Sequence, residues 1–438
     1  GETSSFLNQT FPANYEDKKV NTVIEQSKQN LTVESGSVTS PKGFSAAGAF
    51  VGIKKNSKPD LALIWSNAPA KCAVVFTTNM VMAAPLLWNQ KAIQSSTEIS
   101  GIVINSGNAN ACTGEQGMLD AQSMATTLAE YKSVLPKQVL VASTGVIGVK
   151  LPIEKVVQGI GQLAPTLEST ADAGLDAAAA IMTTDTYAKH ASVSFKTKNG
   201  TVVTLGAIAK GSGMIHPNMA TMLGFITTDC HISGSLLTKA LKESNESTYN
   251  MISVDGDTST NDMVAILANG HAGNALIDKE DDDYQNFCQA LTLLNGTMAK
   301  KIVKDGEGAT KFLEVQVSAA QSLVDARKIA RAIVSSNLVK AAFFGEDANW
   351  GRILCAAGYS GAKFSPEKVS ISLESATGSL KLMEAGEPTI LDEELAKTVL
   401  AEKEIVIKVN IGNGDWAATA WGCDLSYDYV RINGAYRT

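Results

Sequence analysis

No run of about eighteen apolar residues occurs anywhere in the chain, so the sequence offers no membrane-spanning helix. The opening stretch from Gly1 to Val20 is polar with scattered charges, and no signal peptide is expected there. Cysteine is sparse and widely spaced: Cys72, Cys112, Cys230, Cys288, Cys355 and Cys423 form no Cys-x-x-Cys pair, and the histidines do not stand at ligand spacing. That removes a disulfide framework and a sequence-readable metal site, and the thiols are expected to be reduced and mostly buried. Positive charge is also short. Thirty-seven Lys and Arg face 44 Asp and Glu, a net charge of −7 with no basic run, so neither nucleic acid nor an anionic membrane is an expected partner.

What is present is apolar mass without long runs. With 438 residues and 45% hydrophobic content the chain can bury a large core, and its length suggests two or three domains. Ala46–Val51, Leu61–Trp65, Cys72–Phe76, Ile102–Ile104 and Val139–Ala142 are short apolar runs that read as strands, several ending in polar loops such as Ser143-Thr144-Gly145. Residues 191–209 alternate around Asn199-Gly200 and predict a hairpin. Helical composition or spacing marks Gln116–Tyr131, Pro152–Met182, the Tyr284–Met298 stretch behind Asp281-Asp-Asp283, and Ala326–Ile333. Strands resume at Phe312–Val317, Val369–Leu373 and Glu404–Val409. Strands and amphipathic helices mix without regular βαβ alternation, which argues for an α+β fold.

The most concentrated chemistry lies in Lys210-Gly-Ser-Gly-Met-Ile-His-Pro-Asn-Met-Ala-Thr-Met-Leu223. Glycines and Pro217 predict a loop, and the apolar run after it places Thr221 at the mouth of a strand. Local chemistry alone allows a plain loop-to-strand junction. It also allows Thr221 to attack the preceding carbonyl, cleave the Ala220–Thr221 bond and emerge with a free α-amine as its own base.

This stretch resembles the self-processing site of the ornithine acetyltransferase (glutamate N-acetyltransferase) family. Similar blocks follow in order: Ser40-Pro-Lys-Gly-Phe44, Phe76-Thr-Thr-Asn79, Asn105-Ser-Gly-Asn-Ala-Asn-Ala-Cys-Thr-Gly114, Ser143-Thr-Gly-Val-Ile-Gly148, Asp305-Gly-Glu-Gly-Ala-Thr-Lys311, Gly345-Glu-Asp-Ala-Asn-Trp-Gly-Arg352 and Arg431-Ile-Asn-Gly-Ala-Tyr-Arg-Thr438. The resemblance implies a sheet-on-sheet core flanked by helices, a layered α/β/β/α sandwich of the N-terminal-nucleophile type, with a smaller C-terminal domain at about 320–438. It further implies cleavage into an α chain, 1–220, and a β chain, 221–438.

Carried over residue by residue, Thr221 matches the nucleophile, Thr144 and Gly145 the oxyanion hole, and Thr183, Lys210, Glu307, Asn433 and Thr438 the substrate contacts. The implied reaction moves acetyl from N2-acetylornithine to glutamate through a Thr221 ester, as a step in arginine biosynthesis. No metal or tightly bound cofactor is implied, with acetyl-CoA a co-substrate only in a bifunctional member. Two α and two β chains, and a cytoplasmic or, in a eukaryote, mitochondrial-matrix location, complete the expectation. The rivals are an N-terminal-threonine aminopeptidase or amidase on the same plan and a non-catalytic amino-acid-binding protein. His216 is not expected to be catalytic, and Gly306–Lys311 lacks phosphate-loop spacing.

Overall fold

The computed structural model describes residues 31–216 and 222–436. In chain order these form β1 (Val33–Glu34), β2 (Phe44–Ala49), β3 (Leu61–Phe76), α1 (Ala84–Ser95), β4 (Glu98–Asn108), α2 (Gly114–Lys132), β5 (Val139–Val146), α3 (Ile153–Leu163), α4 (Ala171–Ala180), β6 (Lys189–Lys196), β7 (Val202–Lys210) and β8 (Leu223–Thr228). The second half contributes α5 (Gly234–Ser247), β9 (Ile252–Ser253), β10 (Met263–Ala268), α6 (Asp282–Lys304), β11 (Phe312–Ala320), α7 (Leu323–Ser335), α8 (Asn337–Phe344), α9 (Trp350–Gly358), β12 (Ser370–Ser375), β13 (Gly378–Glu384), β14 (Glu387–Pro388), α10 (Glu393–Ala401), β15 (Glu404–Asn410), β16 (Trp416–Cys423) and α11 (Tyr427–Ala435).

The long strand β3 organises the first sheet. The apolar runs Leu61–Trp65 and Cys72–Phe76, read as two strands, are the two ends of this one. Its front half pairs with β2 and β4, its rear half pairs with β10, and the register against β4 shifts between Trp65 and Ala70, the stretch that contains Pro69. One leaf is therefore β2, front β3, β4 and β5; the other is β1, β6, β7, β8, β10 and rear β3.

Ile64, Ile102, Ile104 and Leu140 of the first leaf share a single apolar cluster with Ile208, Leu223, Phe225 and Ala265 of the second. The outer face of the first leaf, with Leu61, Leu63 and Val103, packs on Met124, Leu128, Val156 and Ile160 of α2 and α3. The outer face of the second, with Val193, Leu205 and Val264, packs on Leu237, Leu241, Phe287 and Leu291 of α5 and α6. The result is the α+β, helix–sheet–sheet–helix layering expected. Each large apolar side chain so buried contributes about 1.5–3 kcal/mol.

Helix α6 forms as its spacing predicts. The Asp281 carboxylate caps it by accepting from the Tyr284 amide at 3.1 Å, Asp282 and Asp283 occupy the first turn, and Lys301 and Lys304 the last. It also touches β9 and β16 and so joins the sandwich to a second mixed sheet, ordered β14-β13-β12-β15-β11-β16-β9. That sheet takes every strand but β9 from residue 312 onward, with α7 packed on β11 and β16.

The stretch Pro152–Met182, read as helical throughout, divides into α3 and α4. Pro165 supplies no amide hydrogen, and Glu168 leaves the helical path to bond Ala46 in β2, its amide donating at 3.1 Å. The hairpin around Asn199-Gly200 is present, with Gly200 at φ +82° and its amide donating to the Thr197 carbonyl at 2.8 Å. All six cysteines are free; Cys230, Cys288 and Cys423 are buried, whereas Cys112 and Cys355 are exposed. Among the described residues no helix is long and apolar enough to cross a membrane, and no His, Cys, Asp and Glu group could hold a metal ion.

Candidate active site

The two leaves of the sandwich deliver their loops to one cavity of about 290 Å³. Thr144, Gly145, Thr183, Lys210, Glu307 and Asn433 all line it, although they come from β5, the turn after α4, the end of β7, the loop after α6, and α11. Met222 and Leu223, which follow directly on residue 221, line it as well. Ala220, Thr221 and Thr438 lie outside the described residues.

Thr144 and Gly145 end β5 where it runs parallel to β4. Gly145 sits at φ +134°, and a Cβ placed on it would lie 2.4 Å from the Gly107 carbonyl carbon. Only glycine lets the two backbones approach so closely. The corner is braced beneath by Asn261, whose amide nitrogen donates to the Ser143 carbonyl at 2.8 Å and to the Ala109 carbonyl at 2.5 Å.

Lys210 is 8% exposed, and its ammonium donates to the Thr144 hydroxyl at 3.2 Å. Burial lowers its pKa from the usual lysine value, against the opposing charges of Asp185, Asp262 and Glu307. The carboxyl of Asp262, 4% exposed, is pushed well above the usual carboxylate range by burial, with Lys210 and Ser259 pulling the other way. Both groups are thus driven toward their neutral forms.

Also lining the cavity, Glu307 accepts from the Thr184 hydroxyl at 2.7 Å and from the Asn433 amide at 2.6 Å. Gly213 makes room for it, since a Cβ there would lie 2.3 Å from the Glu307 carboxyl carbon. Asp255 accepts from the Met214 and Ile215 amides at 2.7 and 2.9 Å and from the Tyr429 hydroxyl at 2.9 Å, which ties the 211–216 loop to α11. A lysine, a hydroxyl and a glutamate lining one cavity suit a small ligand bearing both an acidic and a basic group.

His216 is not among the lining residues. Its Nδ1 lies 3.0 Å from the Ser253 hydroxyl and its Nε2 3.3 Å from the Arg331 guanidinium, which can only donate. Burial and then Arg331 lower its pKa to about 4, so the ring is neutral near pH 7.

Thr184, Asp255, Asn261, Asp262 and Tyr429 escaped the sequence reading. The signal for three of them was the run Asp255-Gly-Asp-Thr-Ser-Thr-Asn-Asp262, short polar residues packed against a buried apolar strand, the same pattern that marked Thr144.

The chain matches the ArgJ family over residues 45–438. It is 54% identical over 406 residues to the arginine biosynthesis bifunctional protein ArgJ of Symbiobacterium thermophilum, covering 92% of this chain and 99% of that protein. The crystal structure of the Bacillus halodurans ArgJ is 46% identical and covers 48% of this chain and 98% of its own, with a TM-score of 0.46. The ornithine acetyltransferase of Mycobacterium tuberculosis, solved with ornithine, is 36% identical, covers 44% of this chain and 100% of its own, and has a TM-score of 0.40. The chain belongs to the ArgJ family and is an acyltransferase.

Proposed function

We propose that the protein transfers acetyl from N2-acetylornithine to glutamate, yielding ornithine and N-acetylglutamate for arginine biosynthesis, after cleaving its own chain between Ala220 and Thr221. The observation that carries this reading is the convergence of Thr144, Gly145, Lys210 and Glu307 on one cavity whose wall continues through Met222 and Leu223. Cleavage leaves chains of 1–220 and 221–438, and the new α-amine, with a pKa near ~8, takes the Thr221 hydroxyl proton.

The Thr221 oxygen then adds to the acetyl carbonyl, and negative charge gathers on the carbonyl oxygen, where the Thr144 hydroxyl and Gly145 amide stabilise it. The C–N bond breaks, ornithine leaves with the proton held by the α-amine, and acetyl remains as a threonine ester. Glutamate's amine attacks that ester, its proton returns to the threonine oxygen, and N-acetylglutamate departs. Lys210 binds a substrate carboxylate, while Glu307, Thr183, Asn433 and the terminal Thr438 hold the rest of the amino acid.

Two α and two β chains, a cytoplasmic location and acetyl-CoA as a second donor belong to the same proposal. Intact-mass measurement of the denatured protein is the test. Two fragments, one beginning at Thr221, are expected from the wild type and one full-length mass from Thr221→Ala; fragments persisting in the variant exclude the site. Acetylornithine consumption should require glutamate, because an amidase would consume it equally well without an acceptor.

A further inference from the structure

Behind the cavity wall lies a lysine that touches no part of the cavity. Lys189, the first residue of β6, has a fully buried side chain, and its ammonium sits 2.6 Å from Asp185 Oδ1 and 2.6 Å from Asp305 Oδ2. The carboxylates are themselves all but buried, with side-chain exposures of 0% and 4%. Removing three such charges from water is expensive, and their mutual attraction roughly offsets that cost rather than exceeding it. Stability therefore does not explain the arrangement. Its partners do.

Each carboxylate is also a backbone clamp. Asp185 Oδ2 accepts from the Thr183 amide at 3.0 Å, and Oδ1 accepts from the Gly211 amide at 2.8 Å, directly after Lys210. Asp305 Oδ2 accepts from the Thr186 amide at 2.9 Å, and Oδ1 accepts from the Thr186 hydroxyl. Two residues beyond Asp305, the Glu307 amide donates to the Ser212 carbonyl at 2.8 Å. Three loops, distant in sequence, thus meet on one ammonium: the 183–186 turn, the end of β7 and the loop after α6.

The charge on Asp185 matters beyond the clamp. Burial would raise its pKa, yet the Lys189 and Lys210 charges and the Lys189 and Gly211 hydrogen bonds bring it below the usual value, so it is a carboxylate. Of the charges that oppose burial at Lys210, Asp185 comes before Asp262 and Glu307; Lys189 and Lys54 act with burial.

We infer that Asp185 and Lys189 are positioning residues of this site. The carboxylate–ammonium–carboxylate chain sets the register of the loops bearing Thr183, Lys210 and Glu307, and Asp185, hydrogen-bonded to the residue after Lys210, places a negative charge beside it. The inference rests on the proposed function for what those loops hold.

Steady-state kinetics of Asp185→Asn in the full protein, across pH, tests it. Self-cleavage should be complete, kcat should stay within roughly twofold, and KM for both amino-acid substrates should rise about tenfold, as expected when binding groups shift but the reacting atoms do not. The loss of binding with rising pH should also begin at lower pH, because Lys210 has lost its leading counter-charge. A merely structural role would lower the melting temperature without moving that limb.

Asp305→Asn retains the Asp185–Lys189 pair and still accepts from Lys189; its KM should rise a few-fold with the pH limb in place. Wild-type KM and pH limb in a folded Asp185→Asn overturn the inference. Should that variant fail to fold by circular dichroism, wild-type KM in Asp305→Asn overturns it equally. A cleaved wild-type protein without acetyl transfer would instead sink the proposed function, so the two failures are distinguishable.

Discussion

The Lys210 ammonium donates to the Thr144 hydroxyl at 3.2 Å, across 66 residues of sequence and between the ends of two strands in opposite leaves of the sandwich. An ammonium has only donors, so the Thr144 oxygen must accept and its own hydrogen is left to donate to a ligand. The lysine therefore orients the hydroxyl as well as supplying charge. Lys210→Ala should raise KM by about 10–100-fold, the cost of a lost charge-assisted contact, measured by initial rates against each substrate. An unchanged KM would remove Lys210 from the binding site.

Under the proposed reaction, Thr144→Ala should fold and cleave normally but slow formation of the acetyl-enzyme by about 10²–10³-fold, the effect of deleting one oxyanion donor. Single-turnover acetylation, followed by the mass of the fragment that begins at Thr221, measures this directly. Thr144→Ser, which retains the hydroxyl, should recover most of the rate.

At Gly145 the expectation is structural. Gly145→Ala forces a Cβ into the Gly107 backbone at 2.4 Å, with φ at +134°. The strain should cost roughly 1–3 kcal/mol of stability and displace the β4–β5 corner, read as a lower urea midpoint together with lost activity. A stable, fully active variant would show that the two strands can part without consequence.

Glu307 holds Thr184 and Asn433 with its two oxygens, and Glu307→Gln preserves its size while removing the charge. Under the proposed reaction acetylornithine, the donor with the basic side chain, should lose more affinity than glutamate, by about tenfold in the ratio of their KM values. Equal losses would assign Glu307 to a part common to both substrates.

His216 makes stability depend on pH. Its folded pKa, about 4, lies below the unfolded value of 6.5, so between these pH values the unfolded chain binds more protons. Stability should accordingly fall as pH drops from 6.5 toward 4, by about 1–2 kcal/mol after allowing for the ring's partial exposure. Denaturation of wild type and His216→Asn should diverge over that window alone; parallel curves would assign the acid sensitivity elsewhere.

Much of this protein was legible one residue at a time. Alternation and apolar spacing located β6, β7 and α6, the Asn199-Gly200 turn, and the polar strand end at Thr144-Gly145, because those features depend on neighbours in sequence. Motif resemblance brought Thr183, Lys210, Glu307 and Asn433 into view, and all four line the same cavity. The runs Leu61–Trp65 and Cys72–Phe76 were equally visible as strands, but not as one strand shared by two leaves. Pairing with β2 and β4 at one end and β10 at the other is a long-range matter that local pattern does not encode.

The sequence by itself determined composition, hydrophobic period, turn chemistry and the positions of reactive groups, since each is a property of the chain within a few bonds. Only the tertiary structure decided that Asp185, Lys189 and Asp305 meet, that Asn261 braces the Thr144 corner, and that Glu307 fits because residue 213 is glycine. Buried charges and close backbone approaches depend on what the rest of the chain places around them: removed from water, a carboxylate has to find an ammonium or an amide, and which one is settled by packing across hundreds of residues.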